Sequence, residues 1–282
     1  MPGMMNFAQP KAIEEALSLL ASDHWSILSG GTDFYPALGD KPPRGNILDL
    51  SRLHTLNQIT QDNDYWIIGA RVTWSDIIQA DLPVAFDALK LAAREVGSIQ
   101  IQNRATLAGN LCNASPAADG MPPLLCLDAQ VKLASVRGER TLALSDFIRG
   151  NRETALADDE ILTHLLIPKT VTRGNSAFLK LGARKYLVIS ISMIAARLHW
   201  NEAGIIEDAA VSVGSCSLVA QRLKTLESDL IGQPRSVAVD QIVCAEHLDC
   251  LSPIDDVRAT ANYRLDASLT MVRRTLQQVM QS

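Results

Sequence analysis

The sequence lacks the patterns that identify membrane-spanning and exported proteins. No apolar run approaches the roughly 20 residues needed to cross a bilayer, and the longest candidate, residues 187–198, contains Arg197. The first five residues, Met-Pro-Gly-Met-Met, have neither the basic nor the apolar region of a signal peptide. We therefore expect a cytoplasmic protein without a membrane span.

Patterns that bind metals and nucleic acids are also absent. The five cysteines include no C-x-x-C pair and the five histidines no H-x-x-x-H pair, so the usual spacing of metal ligands is missing. Reduced thiols in a cytosolic protein account for the cysteines. The net charge of −5 argues against a nucleic-acid surface, which is normally basic. We predict that this chain supplies no metal ligand and binds no nucleic acid.

The length of the chain and its hydrophobic patterning predict several subdomains. With 282 residues the chain is long for one compact core. A small β-α-β-like unit is predicted from a helix over 10–21 and strands over 25–29 and 46–50. A second unit is predicted from a helix over 85–96 and strands over 65–69, 129–135 and 160–168.

A linker over 170–176 separates these units from a third. There, strands over 188–200 and 205–214 are predicted to pair antiparallel through the turn at Asn201–Gly204. Apolar residues at three- and four-residue steps over 257–279 predict one long amphipathic helix. We predict an α+β protein with domains over residues 1–56, 57–172 and 173–282.

The segment from Arg104 to Asp119, Arg-Ala-Thr-Leu-Ala-Gly-Asn-Leu-Cys-Asn-Ala-Ser-Pro-Ala-Ala-Asp, is the most informative part of the chain. It combines small residues, which permit close backbone approach, with hydroxyl, amide and carboxylate groups. A loop of this composition suits a phosphate-bearing or sugar-bearing ligand held by backbone N–H groups. Arg104 is either a phosphate partner or a solvated arginine, and Asp119 either accepts from a ribose hydroxyl or caps the backbone locally.

A second glycine-containing segment, Ser29-Gly-Gly-Thr-Asp33, follows a predicted strand. Taken alone it is equally compatible with an ordinary Gly-Gly turn. It is not a P-loop, because no Gly-Lys-[Ser/Thr] follows it, and the G-x-G-x-x-G dinucleotide fingerprint is absent. Two such loops on successive subdomains, however, allow one extended dinucleotide to lie across both.

The two segments together resemble the FAD-binding (medium) subunit of the molybdenum hydroxylases, the xanthine dehydrogenase and carbon monoxide dehydrogenase flavoprotein family. The family pattern Asn-Arg-x-Thr-[Ile/Leu]-Gly-Gly-Asn, followed by Ala-Ser-Pro-x-x-Asp, is matched from Asn103 to Asp119. The resemblance continues through Phe178–Arg184 and Arg258–Arg264, so it covers nearly the whole chain. It implies two N-terminal FAD-binding subdomains of the vanillyl-alcohol-oxidase type and a C-terminal domain with an antiparallel sheet and helices.

The resemblance also implies which residues contact the cofactor. The first loop would bind the pyrophosphate, the second motif the diphosphate and ribityl chain, and Leu162 would lie near the flavin ring or the adenine. Lys180 would stand beside the isoalloxazine, where a cation stabilises the reduced ring. The implied contacts are Leu28, Ser29, Gly30, Gly31, Thr32, Asp33, Ala105, Thr106, Gly109, Asn110, Asn113, Ser115, Asp119, Leu162 and Lys180.

Three positions depart from the family pattern. Ala108 replaces the first glycine of Gly-Gly-Asn, which requires a turn without a positive φ at that position. Val188 stands where relatives often have aspartate, and Ser190 replaces a frequent alanine. These departures bear on FAD binding and on a polar contact in the third domain.

The function implied is an FAD-carrying electron-transfer subunit with no catalytic side chain of its own. Its partners would be a small [2Fe-2S] subunit and a large molybdopterin subunit, assembled as a dimer of heterotrimers. Electrons would pass from the [2Fe-2S] centres through FAD to an external acceptor. Two alternatives are a free-standing FAD oxidoreductase of the same fold and a scaffold subunit that has lost FAD.

Overall fold

The computed structural model describes residues 6–185 and 187–282. Residues 1–5, on which the expectation of no signal peptide depends, lie outside the described residues. Across the described ranges no helix is long and apolar enough to cross a membrane. All five cysteines carry free thiols.

A small parallel sheet forms the N-terminal part. Its strands are ordered β1-β3-β2, with both outer strands parallel to β3. Apolar residues of α1 pack on this sheet, as the pattern over 10–21 predicts. The elements are β1 (Phe7–Ala8), α1 (Ile13–Ser22), β2 (Trp25–Leu28), α2 (Phe34–Leu38) and β3 (Asn46–Asp49).

A five-stranded antiparallel sheet ordered β4-β5-β10-β6-β7 forms the middle part. Its strands are β4 (Ile59–Gln61), β5 (Tyr65–Gly69), β6 (Gln130–Ser135), β7 (Gly138–Ala143) and β10 (Ile161–Pro168). A two-stranded sheet of β8 (Ile148–Gly150) and β9 (Glu153–Thr154) lies between β7 and β10 in the chain. The helices of this part are α3 (Trp74–Gln79), α4 (Asp87–Glu95), α5 (Ile99–Gln102), α6 (Leu107–Asn113), α7 (Met121–Cys126) and α8 (Leu144–Phe147).

The largest hydrophobic core lies between this sheet and its helices. Trp74 of α3 is fully buried there, together with Leu107 and Leu111 of α6. A capping box begins α3: the Thr73 hydroxyl accepts from the Asp76 N–H, and the Asp76 carboxylate accepts from the Thr73 N–H. This core fixes α3 and α6 beside the edge where the N-terminal sheet meets the middle sheet.

The C-terminal part contains a four-stranded sheet ordered β11-β12-β13-β14. The predicted hairpin is confirmed, with antiparallel pairing of β12 and β13. The elements are β11 (Asn175–Leu181), β12 (Ser192–Trp200), β13 (Ile206–Gly214), β14 (Gln221–Arg222), α9 (Lys224–Leu230), α10 (Val239–Ile242) and α11 (Ala261–Gln281). The long predicted helix is thus present and begins four residues later than the apolar pattern.

Both faces of the C-terminal sheet are covered. One face packs on α9 and α11 through residues such as Ile194 and Val211. The other packs on α4 and α7 through Phe178, Met193 and Ala195. Burial on both faces explains why β12 reads as an almost continuous apolar run. It also brings the end of β11 against the helices of the middle part.

Two segments differ from the sequence prediction. The stretch predicted as a ligand-binding loop contains the helix α6, and the apolar segment at Pro122, for which no helix is predicted, is the buried helix α7. In α7 the two prolines occupy the first turn, where the missing N–H groups have no intrahelical partner in any case. Tertiary burial of all six α7 residues favours the helix.

Candidate functional site

The two motifs meet through a backbone contact at Gly30. A Cβ atom placed on Gly30 would lie 2.2 Å from the carbonyl oxygen of Arg104 and 3.0 Å from the Cα of Ala105. Gly31 has a φ of +76°, a conformation that favours glycine. The Gly-Gly pair is therefore required both for the turn after β2 and for close packing of the first motif on the second.

The second motif is held by hydrogen bonds to the segment at the start of α3. The Trp74 N–H donates to the Ala105 carbonyl at 3.1 Å, and the Leu107 N–H donates to the Val72 carbonyl at 3.0 Å. These bonds form a short antiparallel bridge between Thr73 and Thr106. The bridge orients the start of α6 toward the Gly30 loop.

Thr106 is the N-cap of α6. Its hydroxyl accepts from the Gly109 N–H at 3.0 Å, and Thr106 is buried. An N-cap hydroxyl satisfies one of the free N–H groups of the first helical turn. The part of the predicted anion-binding loop that begins at Thr106 is therefore the capped first turn of a helix.

Replacing Thr106 with valine is expected to lower the free energy of unfolding by about 1 kcal/mol, the typical cost of a lost N-cap. Urea unfolding measures this loss of stability. Thr260→Val is the matched control, because Thr260 caps α11 in the same way, by accepting from the Tyr263 N–H. Both variants should lose similar stability, and only Thr106→Val should also weaken binding of FAD. Equal FAD affinity in the two variants would contradict a role for the α6 start in ligand binding.

Ala108 lies inside α6 and is buried, so its position requires no positive φ and alanine suits it. We expect Ala108→Gly, which restores the family residue, to destabilise the protein by about 1 kcal/mol because glycine is the poorer helix former. FAD affinity should stay within twofold of wild type, as measured by titration of the apoprotein. A large gain in affinity would show that the alanine impairs binding.

A cavity of about 460 Å³ lies where the two motifs meet. This volume is within the usual range for small-molecule sites. Eleven of the predicted cofactor contacts line it: Ser29, Gly30, Gly31, Thr32, Asp33, Ala105, Thr106, Gly109, Asn110, Asn113 and Leu162. Leu28, Ser115, Asp119 and Lys180 do not line it as the described residues define it. Direct contact with FAD stays a prediction for all fifteen residues.

The sequence analysis missed the apolar part of the cavity wall. Residues from β2, α3, α5 and β10 contribute apolar groups to this wall: Ile27, Trp74, Ile101 and Ile161. Nothing in the sequence distinguishes these residues from ordinary core residues. Ala108, also in the wall, was identifiable only as a departure from the family pattern.

A second, polar cavity of about 430 Å³ adjoins the first on the other side of the Gly30 loop. The two cavities share Ser29, Gly30 and Thr106. Arg71 and Arg104 line the polar cavity, and Arg104 is exposed, so both of its predicted roles stay predictions. Burial lowers the pKa of Arg71, and Asp49 opposes this effect. The arrangement offers an apolar cleft for a ring and a polar cleft with cationic groups for an anion.

Asn110 provides a test of whether a polar ligand fits. Its side-chain Oδ1 is buried and, among the described residues, has no hydrogen-bond partner. A buried oxygen without a donor costs roughly 1–3 kcal/mol, and Asn110 lies in the wall of the apolar cavity. A hydroxyl-bearing ligand such as FAD supplies the missing donor, so the residues present fit that cofactor.

Asp119 and Lys180 form a buried ion pair at the junction of the middle and C-terminal parts. The Lys180 Nζ donates to the Asp119 Oδ2 at 2.7 Å, and both side chains are at most 10% exposed. Burial raises the pKa of Asp119, while Lys180 and then Ser190 oppose the rise. Asp119 is thus neither a local backbone cap nor a free carboxylate.

Comparison with known proteins agrees with this geometry. Residues 3–170 match the model of the FAD binding domain in molybdopterin dehydrogenase, and residues 177–279 match the CO dehydrogenase flavoprotein C-terminal domain. The nicotinate dehydrogenase FAD-subunit of Eubacterium barkeri is 35% identical over 81% of this chain and 80% of that protein. The nicotine 6-hydroxylase medium subunit of Paenarthrobacter nicotinovorans is 30% identical over 96% of each chain.

Solved structures give the same result. A chain of the Cu,Mo-CO dehydrogenase in its cyanide-inactivated form superimposes with a TM-score of 0.89, at 25% identity over 99% of both chains. A chain of quinoline 2-oxidoreductase from Pseudomonas putida 86 has the same fold, with a TM-score of 0.86 over 100% of this chain and 98% of that one. The predicted α+β fold with FAD-binding subdomains is confirmed. This chain belongs to the FAD-binding flavoprotein family of the molybdopterin dehydrogenases.

Proposed function

We propose that this chain holds FAD across the two adjoining cavities and acts as the electron-transfer subunit of a heteromeric molybdenum hydroxylase. When bound, FAD would supply the redox chemistry of this subunit. With it the subunit would transfer electrons from the [2Fe-2S] centres of a partner subunit to an external acceptor. The observation that carries the proposal is the junction at Gly30, where both family motifs form the wall of one cavity.

Each part of the cradle has a distinct role in holding the cofactor. The loop from Ser29 to Asp33 and the start of α6 at Thr106 present backbone and hydroxyl groups to the diphosphate. Asn110 accepts from a hydroxyl of the ribityl chain, and Leu162 packs on a ring. No side chain of the cavity is required to abstract a proton, which suits an electron-transfer protein.

The assembly we propose includes a small [2Fe-2S] subunit, a large molybdopterin subunit and a dimer of the resulting heterotrimers. Relatives of similar length are described as an FAD-subunit, a medium subunit and a medium chain, which supports a place in a multi-subunit enzyme. We propose the domain boundaries 1–56, 57–172 and 173–282, since the parallel, five-stranded and four-stranded sheets each fall within one of these ranges.

The visible absorption spectrum of the purified protein, alone and after incubation with FAD, tests the proposed function. We expect flavin absorbance at one FAD per chain, with a spectrum displaced from that of free FAD by the apolar wall. A folded protein that takes up no flavin would exclude both this function and a free-standing flavoenzyme, and would favour a scaffold. Oxidation of a substrate by this chain alone would instead favour the free-standing flavoenzyme.

Replacing Asn110 with leucine separates ligand binding from folding. Without FAD, the variant should be as stable as wild type or more so, because it removes a buried oxygen that lacks a partner. FAD should bind about tenfold more weakly, since one hydrogen bond of ordinary strength is lost. Thermal unfolding of the apoprotein and FAD titration measure the two effects. Loss of stability together with unchanged affinity would place Asn110 in the core rather than in the site.

A further inference from the structure

The C-terminal motif Arg258–Arg264 lies outside both cavities, yet its last residue is buried at a junction of three loops. The Arg264 Nη1 donates to the carbonyl of Ile191 at 2.5 Å and to that of Ser215 at 3.1 Å. Its Nη2 donates to the Asp256 Oδ1 at 2.7 Å. A planar guanidinium is suited to hold several fixed acceptors at once. Arg264 therefore fixes the backbone at Ile191.

The residue before Ile191 connects this junction to the middle part of the protein. Ser190 is fully buried, and its hydroxyl donates to the Asp119 Oδ1 at 2.8 Å. Lys180 donates to the other carboxylate oxygen and also to the backbone carbonyl of Glu95 at 3.3 Å. Lys180 and Ser190 are thus the groups that hold the Asp119 carboxylate.

The ion pair lies directly behind the cofactor cavity. Asp119 is followed by Gly120, and a Cβ on Gly120 would lie 3.0 Å from the Asn110 Oδ1, the oxygen without a partner. Gly120 therefore joins the residue of the ion pair to the backbone that packs beside Asn110. Gly120 has no side chain, and this allows the Asn110 Oδ1 to approach its backbone closely.

We propose that Arg264 and Ser190 are positioning residues for the flavin site, acting through Asp119. Arg264 holds the Ile191 backbone so that the Ser190 hydroxyl reaches Asp119, and Ser190 keeps that carboxylate ionised and paired with Lys180. The fixed pair then sets the position of Gly120 and Asn110 against bound FAD. The effect on FAD rests on the proposed function, whereas the effect on Asp119 does not.

Ser190→Ala and Arg264→Lys test the proposal with two readouts. Without the Ser190 donor the pKa of Asp119 rises further, since a hydrogen bond to the charged form is lost. In the apoprotein the stability lost relative to wild type should grow as pH rises through that pKa and disappear at low pH, because the native state then binds the proton. The pH dependence of the loss should vanish in an Asp119→Asn background, because the asparagine side chain still accepts from Ser190 but does not titrate. FAD affinity should fall about tenfold, because a displaced Asn110 loses one hydrogen bond of ordinary strength to the cofactor, and the fall should vary with pH.

Two variants serve as controls. Arg197→Lys changes another buried arginine, which donates to the Cys126 carbonyl and pairs with Asp208. This variant should lower stability without changing either pH profile. Arg258→Ala removes the partly exposed partner of Asp256 and should likewise lower stability without changing either pH profile. Ser190→Thr keeps the hydroxyl donor, and its pH profiles of stability and FAD affinity should match those of wild type.

The two readouts fail independently. If wild type binds no FAD, the proposed function is wrong, and the unfolding profiles still decide whether Arg264 and Ser190 act on Asp119. If wild type binds FAD, but Ser190→Ala and Arg264→Lys behave like Arg197→Lys in both readouts, the positioning role is wrong. A pH-dependent Ser190→Ala effect that persists in the Asp119→Asn background would also overturn it.

Discussion

Gly30→Ala is expected to abolish FAD binding and to lower the free energy of unfolding by about 3 kcal/mol, the upper part of the usual range for overpacking. The added methyl group would lie 2.2 Å from the Arg104 carbonyl oxygen. This neighbour is backbone, and it cannot rotate away as a flexible side chain does. The two motifs would have to separate, which opens the cavity that they share. Flavin absorbance of the purified variant and urea unfolding measure the two effects.

Gly204→Ala is the matched control for this substitution. Gly204 has a φ of +75° in the hairpin between β12 and β13, and among the described residues no atom beyond its two chain neighbours lies within 4 Å of its added Cβ. Alanine there meets backbone strain but no clash, at a cost of about 1 kcal/mol. FAD content should remain that of wild type. If Gly30→Ala retained FAD with full occupancy, the proposed junction of the motifs would be wrong.

Lys180→Met is expected to lower the free energy of unfolding by about 3–5 kcal/mol at neutral pH, because it leaves the Asp119 carboxylate buried without its cation. Burial already raises the pKa of Asp119 in the folded protein, and removal of Lys180, which opposes that rise, raises it further. The loss of stability is therefore largest above that folded pKa and shrinks as pH falls through it, when the native state binds a proton. Urea unfolding across a pH series measures this dependence.

Two further variants make the Lys180 result specific. Replacing both members, as in Lys180→Met with Asp119→Leu, should recover most of the stability, since no uncompensated charge remains. Lys132→Met breaks the more exposed pair with Glu139 and should cost no more than about 1 kcal/mol. A pH-independent loss in Lys180→Met would show that packing of the lysine stem, and not its charge, stabilises the junction.

Local pattern was sufficient to predict most of the regular structure. The alternation and apolar runs of β5, β10, β12 and β13 and the three- and four-residue spacing of α11 each depend on neighbouring residues alone. The helices α6 and α7 were not predicted. Both consist of short segments whose helical state depends on burial of Leu107, Leu111 and Leu124 in the main core, and burial is a property of the tertiary structure.

The candidate site shows the same division. Polar and glycine residues in the two motifs carry family-specific identities, so Ser29–Asp33 and Thr106–Asn110 were predictable from the sequence. The apolar wall was not, because Ile27, Trp74 and Ile161 resemble core residues until the cavity beside them is seen. At Ala108 the sequence was misleading. Its departure from the family glycine suggested a turn in which a positive φ must be avoided, but the residue lies inside a helix, where no positive φ is needed.

The sequence by itself determined the family, the predicted cofactor and the order of the motifs along the chain, because these depend on residue identities at fixed spacing. Only the tertiary structure decided how the motifs meet and what Asp119 and Lys180 contact. Gly30 and Arg104 are 74 positions apart, and Asp119 and Lys180 are 61 apart. Contacts at such separation depend on how the three sheets pack together, and no local pattern encodes that packing.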